Sequence, residues 1–352
     1  MTKTSKRHIS MPSIEQFRNV IANINRQFSF VGLDEQGEAI YDNTLPKPKL
    51  TFTGTVKLHG TNAAVCYNKA GGLWAQSKEN IITPTQDNAG FAFFVDSHTS
   101  EFLDLFYLIV EKEKLDMDNN TISIFGEWCG ASIQKGVGIA QMPKSFFIFG
   151  VKISPIVDSS DEEAVKKNPA YWVDHTYLRS PDQKIYNIND YQTFKMEIDF
   201  NMPQLIQNEL SDLTIAVETE CPVAKAFGFS GIGEGIVWAC EYKGVVYRFK
   251  VKGEKHSASK VKTLASVDVE KLNSIKEFID YAVTESRFNQ ALEKTFLNGE
   301  PVDIKKMGEL IRWVVNDVIK EETDTMVASN IEPKDVNKFV SAKVREMFFK
   351  LV

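Results

Sequence analysis

The chain has 352 residues, 43% of them hydrophobic and 25% charged, with a formal net charge of −6. That length exceeds what a single hydrophobic core supports, so two domains are expected. The negative balance excludes a protein coated in positive charge, so any nucleic-acid surface must be a local groove in an acidic shell. No apolar run approaches the roughly 18 residues of a membrane span. The basic Lys3, Lys6 and Arg7 are not followed by the apolar stretch of a signal peptide. Cys66, Cys129, Cys221 and Cys240 form no C-x-x-C pair or zinc spacing, which fits reduced, buried thiols. The expectation is a soluble, cytoplasmic chain with no membrane partner.

Residues 1–12 are polar and expected to be loose. Ser13 is placed to cap a helix with Ile14, Phe17, Val20, Ile21 and Ile24 at helical spacing. Residues 50–253 are strand-rich, with strands expected at 50–56, 62–67, 73–76, 121–125 and 146–153. A helix at 102–110 would bury Phe102, Leu105, Phe106 and Ile109. Strands 238–242 and 245–251 flank Lys243-Gly244, a hairpin turn. Strands with few helices and no regular βαβ alternation predict an α+β domain over 1–253.

Beyond about residue 255 the apolar period becomes helical. Val269, Leu272, Ile275, Phe278 and Ile279 form one series, and Met307, Leu310, Ile311, Val314, Val315, Val318 and Ile319 a second. Val336, Phe339, Val340, Val344, Phe348 and Phe349 form a third, with Pro333 near its start. A small all-helical domain over 254–352 is predicted, hinged at 252–262.

Five segments could carry chemistry. In Thr55-Val56-Lys57-Leu58-His59-Gly60-Thr61-Asn62, strand alternation puts Thr55, Lys57 and His59 on one face. A lysine beside an imidazole at a glycine turn suits covalent catalysis, and equally a solvated edge strand. Phe125-Gly126-Glu127-Trp128 offers a carboxylate for a sugar hydroxyl or a metal, or a surface turn. The aromatic run Phe146–Phe149 reads as a core strand or as a platform for a flat base. Glu234, between Gly233 and Gly235, offers an oxygen to a hard cation such as Mg²⁺, or belongs to a hairpin. Arg248, Lys250 and Lys252 share one strand face and repel unless they meet an anion, which a polyphosphate would supply.

In order, K-x-H-G-x-N, F-G-E, an aromatic strand, E-G-x-V and K-x-K-G resemble the motif series of covalent nucleotidyltransferases, the superfamily of polynucleotide ligases and capping enzymes. His59, where DNA ligases and capping enzymes usually carry aspartate, makes Lys57-Leu58-His59-Gly60-Thr61-Asn62 similar to the RNA ligase 2 family of phage repair and RNA-editing ligases. Phe125-Gly126-Glu127-Trp128-Cys129-Gly130 with Ile133-Gln134-Lys135 resembles the same family, as does a helical tail where the other branches carry an OB-fold.

The resemblance implies a nucleotidyltransferase domain of ATP-grasp-like antiparallel sheets with helices, followed by the helical domain. It implies an ATP-dependent RNA ligase joining 3′-OH and 5′-phosphate ends, in nicked duplex RNA, through a lysyl-AMP and an adenylylated RNA end. ATP and Mg²⁺, with Mn²⁺ as a substitute, are the implied cofactors, RNA is the partner, and the chain is expected as a monomer. Lys57 matches the nucleophile, Leu58, His59 and Asn62 the surrounding nucleotide site, Glu127 the ribose contact, and Phe149 the ring stacked on adenine. Glu234 matches the acidic residue tied to the metal, with Glu127 as a second candidate ligand. Lys250 and Lys252 match the pair that neutralises phosphate charge. Two departures stand out: Lys78 occupies the usual place of an arginine, whose fork a lysine does not reproduce, and Gly150 stands where relatives often have aspartate. A capping guanylyltransferase and a DNA ligase are disfavoured by His59 and the missing OB-fold pattern. A non-catalytic nucleic-acid-binding protein would need no such set of lysines and carboxylates.

Overall fold

Burial alternates residue by residue along Lys49–Lys57, with Leu50, Phe52, Gly54 and Val56 buried and the residues between them more exposed. This is the period-2 signature of a strand with one face against a core. The structure, a computed structural model, describes residues 6–158, 160–253, 255–256, 275–296, 300–328 and 331–351. The expected hinge at 252–262 lies outside them except for residues 252, 253, 255 and 256, and so do Val269 and Leu272.

The chain is an α+β mixture of largely antiparallel sheets and helices that ends in a helical region. Its contacts form two compact units, which cut across the sequence boundary at 253/254. The first comprises Met1–Ser13, Leu58–Thr193 and Cys221–Gly233. It holds a seven-stranded sheet in the order Ile185–Asn187, Ser145–Pro155, Asn120–Cys129, Thr61–Asn68, Gly72–Ser77 and Ile81–Ile82, with Tyr171–Val173 added to Ser145–Pro155. The helices Phe91–Ser97 and Thr99–Glu113 contribute Phe91, Phe94, Phe102, Leu105, Phe106 and Ile109 to a core with Ala63, Val65, Ile122 and Ile124 of the sheet. The predicted helix is therefore present with its four buried residues, three residues longer at each end.

Two expectations need correction here, and one helix was not predicted. Strand Asn120–Cys129 continues through Gly126 and Glu127, because Thr61–Asn68 and Ser145–Pro155 pair with it on both sides. Glu127 thus lies inside a strand. Phe91–Ser97 was hidden by its β-favouring aromatics; Asp87 anchors it by accepting from the Ala92 and Phe93 N–H groups. The N-terminal segment is pinned rather than loose over residues 6–12. Gln76 accepts the Ile9 N–H (3.0 Å) and donates to its carbonyl (2.6 Å), while Lys152 donates to the Ser10 carbonyl.

The second unit comprises Ile14–Lys57, Phe194–Glu220 and Glu234–Val352. Its four-stranded sheet runs Thr193–Asp199, Lys49–Lys57, Gly235–Tyr242, Val245–Lys252. The helix Phe17–Ser29 starts at Gln16, so Ser13 is not its cap. Helix Gln207–Thr219, which buries only Leu210, Thr214 and Val217, had too sparse an apolar pattern to read. Lys243 and Gly244, both at positive φ, make the predicted tight turn.

Helices Ile275–Ala282, Glu285–Thr295, Met307–Glu321, Thr323–Ala328 and Pro333–Leu351 enclose a core including Phe278, Phe288, Val314, Val340 and Phe348. Phe339 and Phe349, counted in the third apolar series, are exposed instead. Among the described residues, no helix is long and apolar enough to cross a membrane.

Candidate active site

In the second unit, register alone assembles three sequence motifs. Gly235 on the central strand lies opposite Lys57 on one side and Lys252 on the other. Glu234, the preceding residue, therefore meets both lysines. Its Oε2 lies 2.6 Å from the Lys57 Nζ and its Oε1 3.1 Å from the Lys252 Nζ. The carboxylate is 3% exposed, and a buried charge of this kind persists only when paired. Gly235 is required here: at φ +151 its backbone suits glycine, and a Cβ would come within 2.1 Å of the Val251 carbonyl.

Lys250, two residues before Lys252 and on the same face, has a different counter-ion. Its Nζ lies 3.4 Å from Oε1 of Glu321, the last residue of helix Met307–Glu321. Burial holds the Lys250 ammonium below the usual lysine range, Lys252 and Lys57 push it the same way, and Glu321 opposes them. Burial alone brings the Arg248 guanidinium down to about 10. The predicted cationic face is thus real, and two carboxylates meet it.

In the first unit, the glycine turn after Lys57 is held from both sides. Glu127 Oε1 accepts the Gly60 N–H at 2.9 Å, and Gln134 Nε2 donates to the Gly60 carbonyl at 3.2 Å. A Cβ at residue 60 would sit 2.4 Å from the Trp128 carbonyl and 2.6 Å from Cβ of Cys129, so only glycine permits this approach. Asn88 Nδ2 donates to Thr61 Oγ1 at 3.0 Å. Asn62 lies directly opposite Glu127 in the ladder, so the two share a face. His59 and Asn62 are half-buried, whereas Leu58 is buried. Burial, with the Glu127 carboxylate adding to it, pushes the Cys129 thiol well above its ordinary value, which excludes it as a thiolate nucleophile.

Phe149 owes its position to a bulge. Phe125 pairs with Gly150 and Gly126 with Ile148, leaving Phe149 without an opposite residue. Its neighbours Ile148 and Val151 pack into the helix-covered core, while Phe149 packs against Ile9, Ala64, Cys66, Trp74 and Phe125 on the other face. Alternation puts Asn62 with Ala64, and Glu127 with Phe125, on this same face. Lys78 lies just past strand Gly72–Ser77, exposed, 3.9 Å from Glu79.

The second unit thus unites Lys57, Glu234, Lys250 and Lys252, and one face of the first unites Asn62, Glu127 and Phe149. Sequence reasoning gave no role to Asn88, Gln16 or Glu321. Gln134 carried a signal through Ile133-Gln134-Lys135; Glu321 carried none, because its helix was read only for apolar spacing.

The family model described as RNA ligase matches residues 50–252. The chain belongs to the RNA ligase family. The match spans every site residue named above except Glu321 and Gln16. No curated protein matches the chain significantly. Among solved structures, the chain is similar to Naegleria gruberi RNA ligase with PPi, at 14% identity and a TM-score of 0.38, over 69% of this chain and 56% of that one. It is similar to a variant of that ligase with ATP and Mn at 13% identity and TM-score 0.38, over 69% and 56%. An apo variant matches at 13% identity and TM-score 0.40, over 69% and 56%. The chain therefore spans just over half the length of these RNA ligases.

For a divalent cation, the described residues hold no cluster of three or more His, Cys, Asp or Glu side chains. Glu234 is the buried carboxylate of the lysine row, and both its oxygens face lysines. A cation such as Mg²⁺, which takes one or two carboxylates and completes its shell with phosphate oxygens and water, would reach Glu234 only by displacing a lysine from one of those oxygens. Glu127, predicted as a second ligand, spends Oε1 on the Gly60 N–H.

Proposed function

We propose that the chain is an ATP-dependent RNA ligase of the RNA ligase 2 type that joins 3′-OH to 5′-phosphate RNA ends, in nicked duplexes, by three nucleotidyl transfers. The observation that carries this reading is the row Lys57–Glu234–Lys252: a primary amine flanked by a carboxylate and by cations suited to phosphate.

First, the Lys57 Nζ attacks the α-phosphorus of ATP; a P–N bond forms, the α–β P–O bond breaks, and pyrophosphate leaves. Lys57 has to part from Glu234 and give up a proton for this, because an ammonium has no lone pair. Second, a 5′-phosphate oxygen of RNA displaces Lys57 from the AMP phosphorus. Third, an RNA 3′-hydroxyl attacks that 5′-phosphate, forming the phosphodiester and releasing AMP. Lys250 and Lys252 neutralise developing phosphate charge, and positioning supplies most of the remaining acceleration. A divalent cation, Mg²⁺ or Mn²⁺, would share Glu234 with the lysines and add to that neutralisation. By the family resemblance, Phe149 would stack on adenine and Glu127 contact the ribose. We assign residues 254–352 to gripping RNA. In support, helix Pro333–Leu351 carries Lys334, Lys338, Lys343, Arg345 and Lys350 against Asp335 and Glu346, although Lys334, Lys343 and Lys350 are paired to Glu332, Asp280 and Glu346.

The test is intact mass after incubation with ATP and Mg²⁺, in parallel with GTP, followed by peptide mapping. A single AMP adduct on Lys57, lost in Lys57→Ala, is expected. A GMP adduct would move the protein to the capping branch. No adduct with either nucleotide, on protein stripped with pyrophosphate, would leave a binding protein.

A further inference from the structure

Glu321 lies outside every motif, yet two elements converge on it. Lys250 reaches its carboxylate from strand Val245–Lys252. Gln16 Nε2, at the start of helix Phe17–Ser29, donates to Glu321 Oε2 at 3.3 Å and to its carbonyl at 3.4 Å. Arg18 donates to the same carbonyl at 3.0 Å. The strand edge is tied to this joint as well, because the Lys250 N–H donates to the Glu15 carbonyl at 2.9 Å. A carboxylate in the last turn of a helix opposes the helix dipole, so its place here is justified by its tertiary partner.

The charge balance points to what that partner does. Lys57, Lys250 and Lys252 are three cations on the two strands that flank Gly235–Tyr242, Glu234 serves two of them, and Glu321 serves the third. A phosphate arriving at Lys250 brings a second anion to an ammonium already paired, and two anions at that distance repel.

We propose that Glu321 is a positioning residue for Lys250, a built-in substitute for phosphate, so that phosphate binding at Lys250 and retention of the end of helix Met307–Glu321 exclude one another. This rests on the reading that Lys250 takes nucleotide phosphates. The coupling is reciprocal by linkage: the helix end lowers phosphate affinity, and phosphate loosens the helix end. In the proposed reaction, filling the nucleotide site would thereby release the helices assigned to RNA.

The probe is inorganic pyrophosphate on the full chain. Calorimetry compares the wild type with Glu321→Gln, and hydrogen exchange follows the amides of 307–321 with and without saturating pyrophosphate. The variant should bind about fivefold tighter, the order expected from one partly buried ion pair. Pyrophosphate should speed exchange at the helix end of the wild type and leave the variant, already fast there, unchanged. A merely structural role predicts equal or weaker binding in the variant. Equal or weaker binding, no pyrophosphate binding at all, or a wild-type helix end that does not respond, overturns the proposal; if the variant does not fold, the wild-type exchange arm decides. The AMP adduct on wild type, measured in parallel, judges the ligase reading separately. An adduct without coupling rejects only the Glu321 joint; coupling without an adduct rejects only the ligase.

Discussion

Lys250 shows how one residue's surroundings set its working range. Burial, Lys252 and Lys57 favour its neutral form, and Glu321 is the group on the facing helix that opposes them. The sign follows directly. A lysine held below 10.5 in the folded protein loses its charge as pH rises through that lower folded value, while the unfolded chain still binds the proton. Folding stability from this group therefore rises with pH up to 10.5, whereas affinity for phosphate falls over the same range. Pyrophosphate affinity of the wild type, titrated by calorimetry across alkaline pH, should decline below pH 10.5, and in Glu321→Gln the decline should begin at lower pH. An unshifted decline would mean that another group controls it. Gly60 makes the complementary point: its value lies in what it lacks, since any Cβ would push the turn off Trp128 and Cys129.

Among the elements, strand Ser145–Pro155 is decisive because of its bulge. A regular strand would send every second side chain to one face, so the aromatic run alone left open which ring faces the core. The extra residue puts Ile148 and Val151 on the core side and Phe149 on the face shared with Asn62 and Glu127. Replacing Phe149 by alanine is expected to weaken ATP binding by about 1–3 kcal/mol, the worth of one base–aromatic stack. The check is KM for ATP in adduct formation, against pyrophosphate affinity, which should hold. Loss of both would indicate a collapsed sheet face rather than a lost stack.

At the scale of the whole molecule, the helical region and the four-stranded sheet belong to one compact unit. A buried ionic cluster sits within it. Arg287, fully buried, pairs with Asp317 at 2.8 Å and Glu322 at 3.3 Å and also donates to the Ala282 carbonyl. Arg18 and Tyr281 complete the set around Glu322. Removing one partner of such a cluster leaves a buried charge, so Arg287→Met should cost about 3–5 kcal/mol in denaturant unfolding. A loss under about 1 kcal/mol would mean that Arg18 and Tyr281 satisfy Glu322 without it.

Much of this was legible in the residues themselves. Alternation put Lys57 on the more exposed face of its strand and Arg248, Lys250 and Lys252 together on theirs, since a strand's period is a property of the local backbone. Helical spacing likewise marked Val314, Val340 and Phe348 as core. The partners were not legible. Which carboxylate meets which lysine depends on strand order and on a helix end 71 residues beyond Lys250, and no local pattern encodes a long-range register. Local period and residue chemistry determined the strands, the cations and the catalytic candidates; tertiary packing alone decided that Glu234 bridges two lysines, that a bulge turns Phe149 and that Glu321 holds Lys250.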